Sequence, residues 1–383
     1  MRYVTAGESH GRALVAVVTG VPAGVPVELA RIDADLARRQ SGYGRGGRMA
    51  IETDRVVALS GLRFGRTLGS PVALTVANRD WDNWTDVMAP EGDAADAARV
   101  TAPRPGHADL AGCLKTDASD VRDVLERASA RETAARVAAA GIARALLREL
   151  GVTVGSFVVS IGGVEAEPLA DPSAVDQAAV ESSDVRCPDP AASAAMRERI
   201  DTAAAEGESL GGVFVVYARG LVPGLGGYAQ ATDRLDARLA SAVMSIPAIK
   251  GVEIGDGFAL ANTPGSRAHD PILYEAGAGF VRPSNHAGGL EGGMTNGMPL
   301  VLRAAMKPIP TLMRPLASVD LETLEAVEAA RERSDVCAVP AAAVVAESEV
   351  AMVLADAHCR KFGSDCLGDM LAALGAYRAR IAR

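Results

Sequence analysis

The feature that most restricts the fold is how short apolar runs are spaced along the chain. Five of them, "RVVALSGLRFG" (55–65), "SPVALTVANRD" (70–80), "VGSFVVSIGGV" (154–164), "GGVFVVYARG" (211–220) and "MPLVLRAAMKP" (298–308), alternate or run continuously and are flanked by glycine, the pattern of strands ending in tight turns. Helical periodicity appears at "ARIDADLARRQ" (30–40) and over 129–150, 191–206, 234–245, 320–332, 340–358 and 368–380. The clearest helix, "SARETAARVAAAGIARALLREL", opens on Ser129 with Glu132 in capping-box spacing and stops at Gly151. Strands and helices mix without strict βαβ alternation, so the expected class is α+β and layered, not a doubly wound parallel sheet. The segments 79–106 and 165–190 read as surface loops or weak boundaries, and no solenoid-type repeat is present.

With 383 residues the chain can bury one large core or two ordinary ones without disulfide staples. An aromatic share of 4% argues against broad base-stacking surfaces, and a net charge of -9 argues against general polyanion binding, so no nucleic-acid partner is expected. Five cysteines form no CxxC pair and leave an odd count, which fits inert thiols in a reducing compartment and suggests no metal site. No uninterrupted apolar stretch approaches the roughly 20 residues that span a bilayer, and the expected location is the cytoplasm, without membrane contact.

Against this acidic background "RRQSGYGRGGRM" (38–49) gathers four arginines among glycines with no acid. Read locally it is a chance G-x-G-x-x-G match, an RGG-like nucleic-acid segment, or a pocket wall whose guanidinium forks converge on a small polyanion; a solvated loop is the plain alternative. Arg38 could simply end the preceding helix and face solvent. His10 in "GESHG" and His107 in "PRPGHADL" place two of only five histidines in rigid glycine- or proline-framed loops, Arg104 lying between two prolines. "MKPIPTL" (306–312) holds Lys307, one of only four lysines, before a proline-stiffened stretch that reaches Thr311. A compact charge there suits a phosphate or the electron-rich edge of a flavin. The five glycines of "NHAGGLEGGMTNG" (285–297) suit a loop pressed against a ligand, and "RERSDVCAVP" (331–340) sets Arg333 near Asp335, where the plain alternative is an acidic helix cap.

Taken together, "GESHG" with "GVPAG", "RRQSGYGRGGRM", "PRPGHADL", "LERASARETAARVA", "GGLEGGMTNG", "MKPIPTL" and "RSDVCAVPA" make the chain resemble the chorismate synthases from end to end. The resemblance implies one domain over 1–383, a β-α-β sandwich of antiparallel sheets enclosing helices, and a homotetramer. It implies conversion of 5-enolpyruvylshikimate 3-phosphate to chorismate and phosphate, the last step of the shikimate pathway, by a 1,4-elimination using reduced FMN without net redox change. Carried over position by position, His10 resembles the acid that assists phosphate departure and His107 the proton donor at flavin N1. Asp335 resembles the group that draws a proton from flavin N5. Arg39, Arg45, Arg48, Arg104, Arg131 and Arg333 resemble the clamp on the substrate's two carboxylates and phosphate. Flavin contacts would fall on Arg127, Ala128, Ser129, Pro247, Ala248, Gly292, Lys307, Pro308, Ile309, Pro310, Thr311 and Arg333. Arg39 and Arg45 are also positions associated with NADPH as a possible reductant, so a flavin/NADP oxidoreductase using the same site is the alternative. Pro247 departs from the family's usual Asn, removing an amide and a backbone donor, and His286 also stands where Asn is common.

Overall fold

The computed structural model describes residues 1–46, 53–93, 97, 99–277, 279–330 and 335–382. Two antiparallel sheets form the outer layers. The first contains β1 (Arg2–Ala6), β2 (Ala13–Thr19), β3 (Val56–Ser60) and β4 (Val72–Ala77) in the order β1-β2-β4-β3. The second contains β5 (Thr153–Ile161), β6 (Val164–Glu165), β7 (Gly212–Arg219), β8 (Ile249–Ile254) and β9 (Leu300–Met306) in the order β8-β9-β7-β5-β6. Alternation decides which side is dry. Leu14, Ala16 and Val18 of β2 and Val72, Leu74 and Val76 of β4 are buried, while Val15, Val17, Ala73 and Thr75 lie on the opposite face.

Helices lie between and around the sheets. They are α1 (Leu29–Gln40), α2 (Asp109–Thr116), α3 (Arg122–Ala128), α4 (Thr133–Glu149), α5 (Pro190–Glu206), α6 (Leu235–Met244), α7 (Val339–Phe362) and α8 (Leu367–Ile381). α4 packs on β2 and β4, α7 on β5 and β7, and the two helices pack against each other. This is the sandwich of antiparallel sheets around helices that the resemblance implies. Buried on both sides, α7 shows no polar face: all but four of its 24 residues are buried. The helices come close where a side chain is missing, since a Cβ on Gly141 of α4 would sit 2.6 Å from Ile32 of α1.

All five expected strands are present. The helix expected over 320–332 is not: Ala317–Val319 and Ala326–Glu328 pair as a hairpin. Asp320 accepts from the Glu322 and Thr323 N–H groups, Leu324 turns left-handed at φ 60°, and the chain doubles back after one turn. The capping box at Ser129 is half made. Ser129 accepts from Arg131 N, but Glu132 turns to Thr5 and Arg136 instead of returning to the cap. The segment 165–190, expected as a surface loop, contains the helix Gln177–Ser182, and its Val180 packs on Phe157, Val215 and Tyr217 to cover the outer face of the second sheet.

Candidate active site

The turn from β1 to β2 carries His10. Gly7 has φ 105°, and a Cβ there would lie 2.4 Å from Ala13 O, so only glycine lets the turn close. The loop is pinned by α3 and the residues after it. Arg127 donates to Gly7 O and Thr5 O, both at 3.0 Å, Ser9 N donates to Glu126 O, and Ser129 Oγ donates to Ser9 Oγ at 3.2 Å. His10 pairs through Nδ1 with the buried Glu126 carboxylate and stacks on Trp84.

His107 precedes α2 and is held in the same manner by a different acid. Its Nδ1 bonds Asp109 Oδ1, and Asp109 is fully buried. Arg104 grips that carboxylate with Nε at 2.8 Å and Nη2 at 3.1 Å, and donates through Nη1 to Thr311 Oγ1 at 3.2 Å. Burial alone would raise the Asp109 pKa, but hydrogen bonds from His107 and Arg104 and the Arg104 charge hold it well below the carboxylate range. Lys307, just past β9, donates to Gly106 O at 2.5 Å and fixes the other side of the histidine loop.

The arginine wall begins at the end of α1. Arg39 is buried, donating through Nε to Thr133 Oγ1 and through Nη2 to Ala130 O, both at 2.8 Å. Its Nη1 has no hydrogen-bond partner among the described residues; the nearest acid, Asp54 Oδ2, is 3.9 Å away and is bonded at 2.7 Å by Arg131. Burial, then the Arg131 and Arg45 charges, push Arg39 down to about 9. An anion arriving here would therefore meet crowded positive charge and one buried donor waiting for an acceptor. Arg45 pairs through Nε with Asp335 at 2.9 Å, and Asp335 also accepts from Gly46 N. Asp335 is thus not a helix cap; the cap of α7 is Ala338. Gly44, at φ 79°, lets the two backbones meet: Val336 N donates to its carbonyl, and a Cβ would strike Ile200 at 2.8 Å.

Backbone contacts close these loops into a ring. Leu210 N donates to Val336 O, Ser209 Oγ to Ile309 O, and Lys307 N to Ala248 O. Thr311 meets Arg104, α2 packs on α3, and α3 returns to His10 through Glu126. The ring brings together His10, Arg39, Arg45, Arg104, His107, Arg127, Ser129, Arg131, Lys307, Ile309, Thr311, Asp335 and Ala248. Arg48 and Arg333 lie outside the described residues. Gly292 lies beside the start of α6, where Gly293 O accepts from Leu235 N, and Pro247 and Ala248 follow the end of that helix. Arg38 does not face solvent; it bonds Glu347 of α7, Asp35 and Glu181, turning away from the ring. Glu126, Trp84 and Asp54 escaped the sequence reading because their partners are far along the chain. Asp109 is the exception, two residues after His107 in the quoted motif.

Two carboxylate-held histidines beside buried arginines are the kind of groups an enzyme uses for proton transfer. The family model described as "Chorismate synthase" matches residues 1–359. Among curated relatives, the chorismate synthase of Symbiobacterium thermophilum is 59% identical over 393 residues, covering 100% of both chains. That of Moorella thermoacetica is 59% identical over 378 residues, covering 99% of this chain and 98% of its own. A solved structure described as "Crystal Structure of Chorismate Synthase" superposes with a TM-score of 0.81 at 42% identity, covering 100% of this chain and 98% of that one. The chain belongs to the chorismate synthase family.

Proposed function

We propose that the protein removes phosphate and the C6 hydrogen from 5-enolpyruvylshikimate 3-phosphate to give chorismate, with reduced FMN bound beside the substrate. The observation that carries this reading is the buried Nη1 of Arg39, which makes no hydrogen bond among the described residues and lies 3.9 Å from Asp54, in a ring that also holds two histidines. A substrate with two carboxylates and a phosphate would supply the acceptor that Arg39 Nη1 lacks. Arg39, Arg45, Arg104 and Arg131, with Arg48 and Arg333, bind and orient the anion; His10 gives a proton to the departing phosphate and His107 holds one at the flavin edge. Asp335 is paired with Arg45 and orients that guanidinium in addition to its assigned role at the flavin.

The residues fit FMN. Lys307 and Arg127 are cations, Ser129 offers a hydroxyl, and Pro308 and Pro310 stiffen the loop ending at Thr311. Among the described residues nothing lies within 4 Å of a Cβ built on Gly292, and its φ of 57° favours glycine there. Ala248 has φ 69° and its carbonyl accepts from Lys307 N, so a flavin contact here is apolar or through the Pro247 carbonyl. Reduced flavin, when bound, supplies electron density that lets an unactivated C–H and a C–O bond break without net oxidation.

A homotetramer in the cytoplasm, with the whole chain as one domain, completes the proposal. Its support is the outer face of the first sheet, where Val4, Val57 and Leu59 are exposed beside Val15, Val17 and Ala73. The five cysteines are free, and among the described residues no helix is long and apolar enough to cross a membrane. Anaerobic incubation with dithionite-reduced FMN and the substrate tests the reaction. Phosphate and chorismate should appear together; folded, flavin-loaded protein that releases neither would refute it.

A further inference from the structure

His10 is held on two sides by groups that no local motif announces. Its backbone N–H donates to Glu126 Oε2 at 2.8 Å, and its Nδ1 lies 2.9 and 3.0 Å from the two oxygens of the same carboxylate. The ring stacks on Trp84 with centroids 3.8 Å apart and planes 21° from parallel. Glu126 is 2% exposed, and Arg122 donates to it at 3.1 Å while lying over the Trp84 ring at 5.2 Å. Burial would raise the Glu126 pKa, but the His10 hydrogen bonds and charge, with Arg122, hold it below the usual range. An ionised carboxylate only accepts, so the imidazole nitrogen facing it carries the hydrogen. The pair at His107 differs, because Asp109 already shares its charge with two nitrogens of Arg104.

We propose that Glu126 is a positioning residue: it fixes His10 as the Nδ1–H tautomer and balances the imidazolium, so that Nε2 is the nitrogen that delivers the proton to the departing oxyanion. Trp84 and Arg122 set the ring plane. The proposal rests on His10 acting as the acid in the reaction assigned above. Nothing is oxidised in this step; one proton leaves Nε2, the C–O bond breaks, and the neutral imidazole retains its hydrogen on Nδ1.

Nitrogen-15 spectra of histidine-labelled protein read the tautomer without turnover. In neutral His10, a protonated Nδ1 and a bare Nε2 are expected; the opposite assignment overturns the proposal. Glu126→Gln should lower kcat by roughly 10- to 1000-fold with KM and flavin binding little changed, and Glu126→Asp should recover part of the loss. In a His10→Ala background the same Glu126→Gln change should cost nothing further, because both variants remove one device. Independent losses in the double variant, or an unchanged kcat in the single one, would show a structural role instead. Wild-type protein that released no phosphate would count against the reaction, and the nitrogen spectra would then decide the positioning role alone.

Discussion

Asp109 shows how one buried carboxylate can serve two neighbours. It neutralises Arg104, which aims at Thr311, and it orients the His107 ring through Nδ1. Asp109→Asn keeps the shape but leaves the guanidinium without its counter-ion. It should destabilise the fold by about 3–5 kcal/mol, the range for breaking a buried pair, and slow turnover by roughly 10- to 1000-fold. Urea unfolding and kcat read the two effects separately; an unchanged value of either would remove the corresponding role. Ala248 is a second residue whose conformation is costly, since a side chain at φ 69° is strained. Ala248→Gly should raise stability by about 1 kcal/mol.

At the scale of the element, α7 buries two carboxylates that behave in opposite ways. Glu347 receives Arg38, Arg144 and Arg186, and although burial would raise its pKa, their charges hold it well below the usual range. Its stabilising contribution is therefore complete above the unfolded value of 4.5 and is lost as pH falls below it. Glu349 is pushed up, because burial outweighs the Tyr3 hydrogen bond and the Arg136 charge, so its ionisation at neutral pH is a cost. Glu347→Gln should lower the Tm at pH 7 and flatten the acid limb of stability between about pH 5 and 3, whereas Glu349→Gln should leave the Tm unchanged or higher. Equal losses from both would contradict this account. Where α1 crosses α4, Gly141→Ala should cost about 1–3 kcal/mol by forcing Ile32 outward, and should raise KM because Arg39 sits in the last turn of α1. Elements with strong periodicity and clear stops, α4, α5, α6 and β4 among them, were legible in the sequence. β1 and β2 were not, as the apolar run after Gly11 signals no partner. The 317–328 hairpin looked helical because Asp320 followed by Leu, Glu and Thr is equally a helix start and a turn.

For the whole molecule, the arginine-rich stretch stood out in the sequence as a candidate anion wall, and Arg45 and the distant Arg131 both place their charge near Arg39. What remained hidden was which acid meets which cation, because Asp54 with Arg131, Glu126 with His10 and Glu347 with Arg38 are matched only by tertiary contact. The net charge of -9 is compatible with that wall, since most of its positive charge is buried and locally paired. The uncovered face of the first sheet belongs to this scale too. Leu59→Arg should place charge in an apolar contact and shift the mass measured by light scattering from a tetramer to smaller species; an unaltered tetramer would put the interface elsewhere. The central claim is a redox-neutral elimination on a trianion, and counting products against flavin tests it most directly. With a small amount of reduced FMN, sealed from oxygen, phosphate should exceed flavin many-fold while the flavin spectrum ends reduced. One phosphate per flavin oxidised, or stoichiometric consumption of NADPH, would contradict it.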